Sequence, residues 1–271
     1  MRLKITASVL FAVALLTACT RAPVSQEVPS TPAADSVAPA SAPDSRSYFK
    51  RQIDLLDSVS LAGYFDRQGD MLDSVNKNIY RALEGLTKDD AYQHASLGEK
   101  DGISYLLSDD QRLCLVSWDT RLGGTMIDFE TVAIYKTAAG TKIRYLGEVD
   151  PETSGHTSSQ TYFTKLYALT DIDSVTTYYA YGVGQASTLL PWRTLQAFRV
   201  GEDLDDTLPT FDDRENSFSY DLSKFDDNDD IADVIFAANP RDIQVPDIED
   251  EVSTGQYTRY RFADGMYRRV E

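Results

Sequence analysis

From Ile103 onward the chain is a series of short apolar and β-branched runs broken by turns, and no stretch between them carries a helical period of crossover length. Parallel strands need a crossover of a dozen residues or more, usually a helix, so this part of the chain is restricted to antiparallel pairing. Ile103 to Leu107 and Arg112 to Trp118 flank Ser108-Asp109-Asp110, and Val132 to Lys136 and Lys142 to Leu146 flank a loop ending in Gly140; each pair reads as a hairpin. Tyr257 to Phe262 and Met266 to Val270 meet across Asp264-Gly265, a dipeptide that tolerates the positive φ of a tight hairpin turn. Further strands are expected at Tyr162 to Leu169, Thr176 to Tyr181, Thr194 to Val200, Phe218 to Leu222 and Asp233 to Phe236. The expected fold class is mainly β, with antiparallel sheets forming a sandwich, a barrel or a small propeller-like array behind an N-terminal helical segment.

That helical segment covers residues 46–98, ahead of a β domain at 99–271. Phe49, Ile53, Leu56 and Val59 recur at helical steps, as do Leu72, Val75, Ile79, Leu83 and Leu86 after a break around Gly69. Thr87 followed by Asp90 predicts an N-cap with an acidic first turn and a short third helix up to Gly98. Neither stripe continues for enough heptads to be a coiled coil, so both helices are expected to pack on the β domain.

The first 45 residues have a different character. Arg2 and Lys4 precede an apolar run from Ile5 to Leu16, with small residues behind it, as a secretory signal requires, and the run is short for a bilayer span. Leu16-Thr17-Ala18-Cys19 resembles the lipobox of bacterial lipoproteins, and the resemblance implies a signal peptide over residues 1–18 and lipidation, including palmitate, at Cys19. Residues 19–45 are rich in Ala, Pro, Ser, Val and Thr, too poor in large apolar groups to offset ordering entropy. They read as a tether holding the domain roughly 30 Å from the membrane. Thr20 in place of Asp, with no acidic run before Glu27, implies by lipoprotein sorting rules an outer-membrane location facing the periplasm.

With 43 Asp and Glu against 26 Lys and Arg, the formal charge is −17, and loss of Arg2 and Lys4 makes it more negative. Nucleic-acid binding needs a basic footprint that is missing, and the same field repels anionic headgroups. The membrane partner is therefore reached through lipid, and a further partner would be a protein or a glycan. The only cysteines are Cys19 and Cys114. Acylation of the first leaves the second without a disulfide partner, and its setting, Leu113-Cys114-Leu115-Val116, is that of an inert buried thiol.

No catalytic residue is assigned. His94 and His156 are isolated, and the hydroxyls around His156 lie in a polar loop that nothing desolvates. Acid pairs such as Asp212-Asp213 or Asp128 with Glu130 arise by abundance alone in so acidic a chain, although a pair at the right separation would support a glycan-acting hydrolase. Trp118, Trp192 and Tyr178-Tyr179-Tyr181 read as core and cross-strand aromatics before they read as a sugar platform. One cluster has metal-binding form: Asp226, Asn228, Asp230 and Asp233 place oxygen ligands in alternation, as a calcium loop does. Ile231 and Ala237 stand where an EF-hand needs glycine and glutamate, so an EF-hand is excluded, and the cluster reads either as an acidic surface turn or as a Ca²⁺ loop of another kind closed by Asp233.

The segment Ser117-Trp118-Asp119-Thr120-Arg121-Leu122-Gly123-Gly124-Thr125 is similar to one found in β-rich Bacteroidota lipoproteins without an assigned activity, and the resemblance brings no site residues with it. Physically it reads as a wide turn in which Gly123-Gly124 adopt φ values other residues avoid and Trp118 caps the core. The combined expectation is a lipid-anchored envelope protein acting as a binding or structural module, with a glycan hydrolase using a carboxylate pair as the alternative.

Overall fold

Alternate residues of Leu113-Cys114-Leu115-Val116 enter two different cores. The computed structural model describes residues 44–61, 68–95, 102–124, 126–147, 160–225 and 231–271, and in it this run lies in β2 (Leu113–Asp119), between β1 (Ile103–Leu107) and β3 (Phe129–Thr137). With β4 (Gly140–Tyr145) these strands form an antiparallel sheet in the order β1-β2-β3-β4. Successive strand side chains point to opposite faces. Cys114, Val116 and Trp118 therefore share one face with Val132 and Ile134, and Leu113 and Leu115 share the other with Ala133 and Tyr135.

The first face is covered by α1 (Ser45–Leu61) and α2 (Gln68–Leu86). Their stripes, Phe49, Ile53, Leu56 and Val59 on α1 and Leu72, Val75, Ile79, Leu83 and Leu86 on α2, are buried against it. The second face packs on another antiparallel sheet, β5 (Tyr162–Thr170), β6 (Thr176–Ser187), β7 (Leu190–Val200) and β8 (Leu204–Leu208), with β9 (Ser217–Ser219) also on β7. Phe163, Tyr178, Ala180 and Phe198 face the first sheet. Tyr179, Tyr181, Leu195 and Ala197, of opposite parity, face a third sheet made of β10 (Ile235–Phe236), β11 (Asp242–Glu249), β12 (Val252–Ala263) and β13 (Met266–Arg269). The mainly β, antiparallel fold class is thus correct, in the form of four layers, helices and then three open sheets, none closed into a barrel. Two sheets buried on both faces read as unbroken apolar runs, whereas β12, in the layer with a solvated face, alternates: Tyr260 and Phe262 are buried, Arg259 and Arg261 exposed.

Local chemistry accounts for the departures from the expected elements. Strand β11 carries Pro246 and acidic residues, which argue against a central strand; the pairing with β12 shifts register between Pro246 and Ile248, which relieves the missing N–H. The expected strand Phe218 to Leu222 stops at Ser219, and a single 3₁₀ turn follows, capped by Asp221, which accepts from the Ser223 amide at 3.0 Å. The third helix is corrected too. Thr87 does not cap it, its hydroxyl donating back to the Glu84 carbonyl at 2.8 Å, and Asp89 and Asp90 both sit at φ 54°. That left-handed pair bends the segment so that the Asp90 carboxylate reaches Lys136 and Thr141 of the first sheet.

Candidate functional site

The connection between β2 and β3, residues 120–128, is closed at its neck by polar side chains. The Thr120 amide donates to the Asp128 carbonyl at 2.9 Å, and its hydroxyl donates to the Asp128 carboxylate at 2.7 Å while accepting from the Leu122 amide at 3.1 Å. The Thr120 carbonyl accepts from Asn76 Nδ2 of α2 at 3.0 Å, and Asn76 Oδ1 in turn accepts from Trp118 Nε1 at 2.8 Å. Arg121 takes φ 61°, with its amide and guanidinium both donating to the Asp119 carboxylate and the guanidinium 3.6 Å from Asp57 of α1. Gly123 is needed for space, since a methyl group there would overlap the Met126 carbonyl and the Asp128 amide. The expectation that Gly123-Gly124 supply the unusual φ values is therefore corrected, because the left-handed residue is Arg121.

What the loop presents beyond this pinned neck is apolar. Leu122, Met126 and Ile127 are 44%, 53% and 37% exposed, on a turn whose neighbours Thr120 and Trp118 are fully buried. Three large apolar side chains left about half exposed on one connection contribute less to folding than they would in the core, and clustered exposed apolar groups mark interaction sites. Binding residues concentrate on loops positioned by a rigid scaffold, which is the arrangement here. Thr125 lies outside the described residues.

Beneath the loop, Glu130 is the second residue of β3, directly across from Trp118. Burial pushes its carboxyl up to about 7; the Tyr145 hydroxyl opposes the shift and the Asp128 and Asp73 charges add to it. This brings together one carboxyl that titrates near neutrality and a second, Asp128, fixed by Thr120. A proton donor beside an acidic neighbour is the minimum an acid–base pair requires.

The other residues singled out by sequence take structural places. Trp118, Tyr178, Tyr179 and Tyr181 are buried, and Trp192 lies over Gly184 of the paired strand, where any β-carbon would collide with the indole. Cys114 is buried, and desolvation pushes its thiol up to about 12. His94 is exposed. Asp212 and Asp213 pair with Arg268 and Arg269, and Asp213 accepts from the Tyr260 hydroxyl at 3.0 Å. Asp233 accepts from the Tyr181 hydroxyl and the Val234 amide and lies 3.9 Å from Arg193. Cys19, His156, Asp226, Asn228 and Asp230 lie outside the described residues. Among the described residues no group of three or more His, Cys, Asp or Glu is placed to hold a metal ion, and no helix is long and apolar enough to cross a membrane.

No single sequence signal pointed to the loop as a display element. The alternation rule that marks strands is silent in a turn, and Leu122, Met126 and Ile127 read as ordinary apolar residues until their exposure is seen. No family model, curated protein or solved structure matches the chain.

Proposed function

We propose that this chain is a lipid-anchored cell-envelope binding module, attached through Cys19, located at the outer membrane facing the periplasm, and docking to a protein partner through the 120–128 loop. The observation that carries the reading is the pairing of an immobilised neck with three solvated aliphatic side chains. A loop whose ends are already pinned has less conformational freedom to lose when its apolar side chains enter a partner's pocket, so more of their burial appears as affinity.

Membranes extracted in mild detergent test the docking. Wild-type protein should migrate as a complex larger than the monomer, and Leu122→Ser/Met126→Ser/Ile127→Ser as the monomer, with a single cooperative melting transition retained, because the three side chains are about half exposed and lie outside the core. The anchor has a separate test: Cys19→Ser should move the protein from the membrane to the soluble fraction, and protease added to intact cells should spare the wild type. Calcium ligation by Asp226, Asn228, Asp230 and Asp233 rests on their spacing in the sequence; a thermal shift with calcium that magnesium does not reproduce is its test.

A second reading is favoured by one observation, the Glu130 carboxyl near neutrality beside Asp128. On that reading the pair hydrolyses a glycan, with Glu130 as the acid. Turnover of a polysaccharide panel that disappears in Glu130→Gln would establish it.

A further inference from the structure

Among the described residues, the outer face of the third sheet is not covered by another layer, and it carries arginine in an otherwise acidic protein. Pairing registers place Ile235, Gln244 and Arg259 side by side across β10, β11 and β12. The Val270 amide donates to the Arg259 carbonyl at 2.9 Å, which continues the row to a fourth position. At 4.7–4.9 Å between strands the row is roughly 14 Å long. Ile235 and Val270 are exposed at its two ends, Gln244 and Arg259 lie between them, and Asp242 and Arg261 form the next row; together these six line a groove of about 270 Å³.

The charges in this surface differ in state. Arg261 is paired with Asp242 at 2.7 Å and Arg268 faces Asp212 and Asp264, whereas Arg269, in register with the inward-facing Tyr260, lies off this face and pairs with Asp213. Arg259, in the groove itself, forms no ion pair among the described residues and is exposed. A guanidinium left free inside a groove, with aliphatic ends on either side, is complementary to a carboxylate flanked by apolar groups, and the planar fork of arginine suits a carboxylate in bidentate fashion.

We propose that this groove binds an extended acidic peptide segment of a protein partner, with an aspartate or glutamate on Arg259 and aliphatic neighbours against Ile235 and Val270. Two other anionic partners fit less well. A glycan wants an aromatic face to stack on, and the one aromatic lining the groove, Tyr260, is buried in the core beneath it. An anionic bilayer wants several free cations, but the neighbouring arginines are neutralised by aspartates, which leaves a single guanidinium to take a single carboxylate. The groove and the 120–128 loop share no residue, so this inference stands whether or not the loop docks.

The test pans a displayed library of random heptapeptides on the full chain in detergent, then measures enriched peptides singly by fluorescence anisotropy. Enriched sequences should hold Asp or Glu flanked by Leu, Ile or Val. Arg259→Gln should weaken them about tenfold or more, the loss of one charge-assisted bidentate contact. Arg269→Gln and the loop variant should change them less than about twofold. Arg259 is exposed, so its substitution leaves the fold intact, which the melting temperature checks. No enrichment over a detergent-only control, enrichment without acidic residues, or binding indifferent to Arg259→Gln overturns the proposal. So does Arg259-dependent binding of oligogalacturonate or of phosphatidylglycerol vesicles in place of peptide.

Discussion

The indole Nε1 of Trp118 donates to Oδ1 of Asn76 at 2.8 Å, while Nδ2 of the same amide reaches the carbonyls of Leu72 at 2.8 Å and Thr120 at 3.0 Å. One buried side chain on α2 thus joins the helix layer, the end of β2 and the neck of the apolar loop. Asn76→Leu keeps the number and branching of side-chain heavy atoms and removes every hydrogen bond, leaving the Trp118 N–H and the Thr120 carbonyl unpaired in the core. Unsatisfied buried groups cost about 1–3 kcal/mol each, so urea unfolding should show a loss of about 2–6 kcal/mol. A loss under about 0.5 kcal/mol would mean that these bonds do not hold the layers together.

The helical layer is part of the domain, because α1 and α2 share a core with the first sheet and a compact unit with the rest of the described chain. Leu72, Val75 and Ile79 are buried, and truncating buried aliphatic side chains to Ala costs about 2–5 kcal/mol for Leu and Ile. The triple Ala variant should therefore lower one cooperative melting transition, followed equally by helical and β signals in circular dichroism. Two transitions, with the β signal unmoved, would make the helices an independent unit.

Much of the architecture was legible as faces. The helical stripes, the hairpin across Asp264-Gly265, where both residues take positive φ, and the antiparallel constraint all follow from periodicity and turn chemistry that act within a few residues. The layer count was not legible, because a strand buried on both faces, such as Leu113-Cys114-Leu115-Val116, has no alternation to show which neighbours cover it. Strand β11 was hidden by Pro246, and the Asp89-Asp90 bend by a tertiary bond to Lys136 that no local rule contains. The loop and the arginine row were missed for a shared reason: each depends on what is left exposed after packing, and sequence pattern reports what is buried.

Glu130 gives the pH dependence a sign. Its carboxyl rises from an ordinary 4.5 to about 7 in the folded state, so between those values the folded protein holds a proton that the unfolded chain releases. Stability from this group is full below about 4.5 and declines as pH rises to about 7, with a slope of at most about 1.4 kcal/mol per pH unit for one proton. Compared over that window, Glu130→Gln should lack this decline and should melt higher than the wild type above pH 7. Parallel stability–pH curves for the two proteins would remove burial of Glu130 as their cause.

Gly123→Ala should distort the loop without touching the core. The added methyl group meets backbone atoms of Met126 and Asp128, which cannot rotate away as a side-chain end would. Protease should cut the variant between Arg121 and Asp128 at least about tenfold faster than the wild type, as expected for a loop whose opening has become about 1.4 kcal/mol easier. Gly124→Ala, whose added methyl group meets no neighbour, should be neutral. Equal cleavage of the two variants would contradict the close approach at Gly123.

The docking role of the loop is tested most directly by replacing Met126 with a photo-crosslinking amino acid in cells and irradiating. The same replacement at Ile172, which is 92% exposed at the β5–β6 turn, serves as the control for exposure alone. A discrete protein adduct at Met126 and none at Ile172 is the expected result. Adducts of equal yield at both positions, or none at either, would contradict a docking role for the loop.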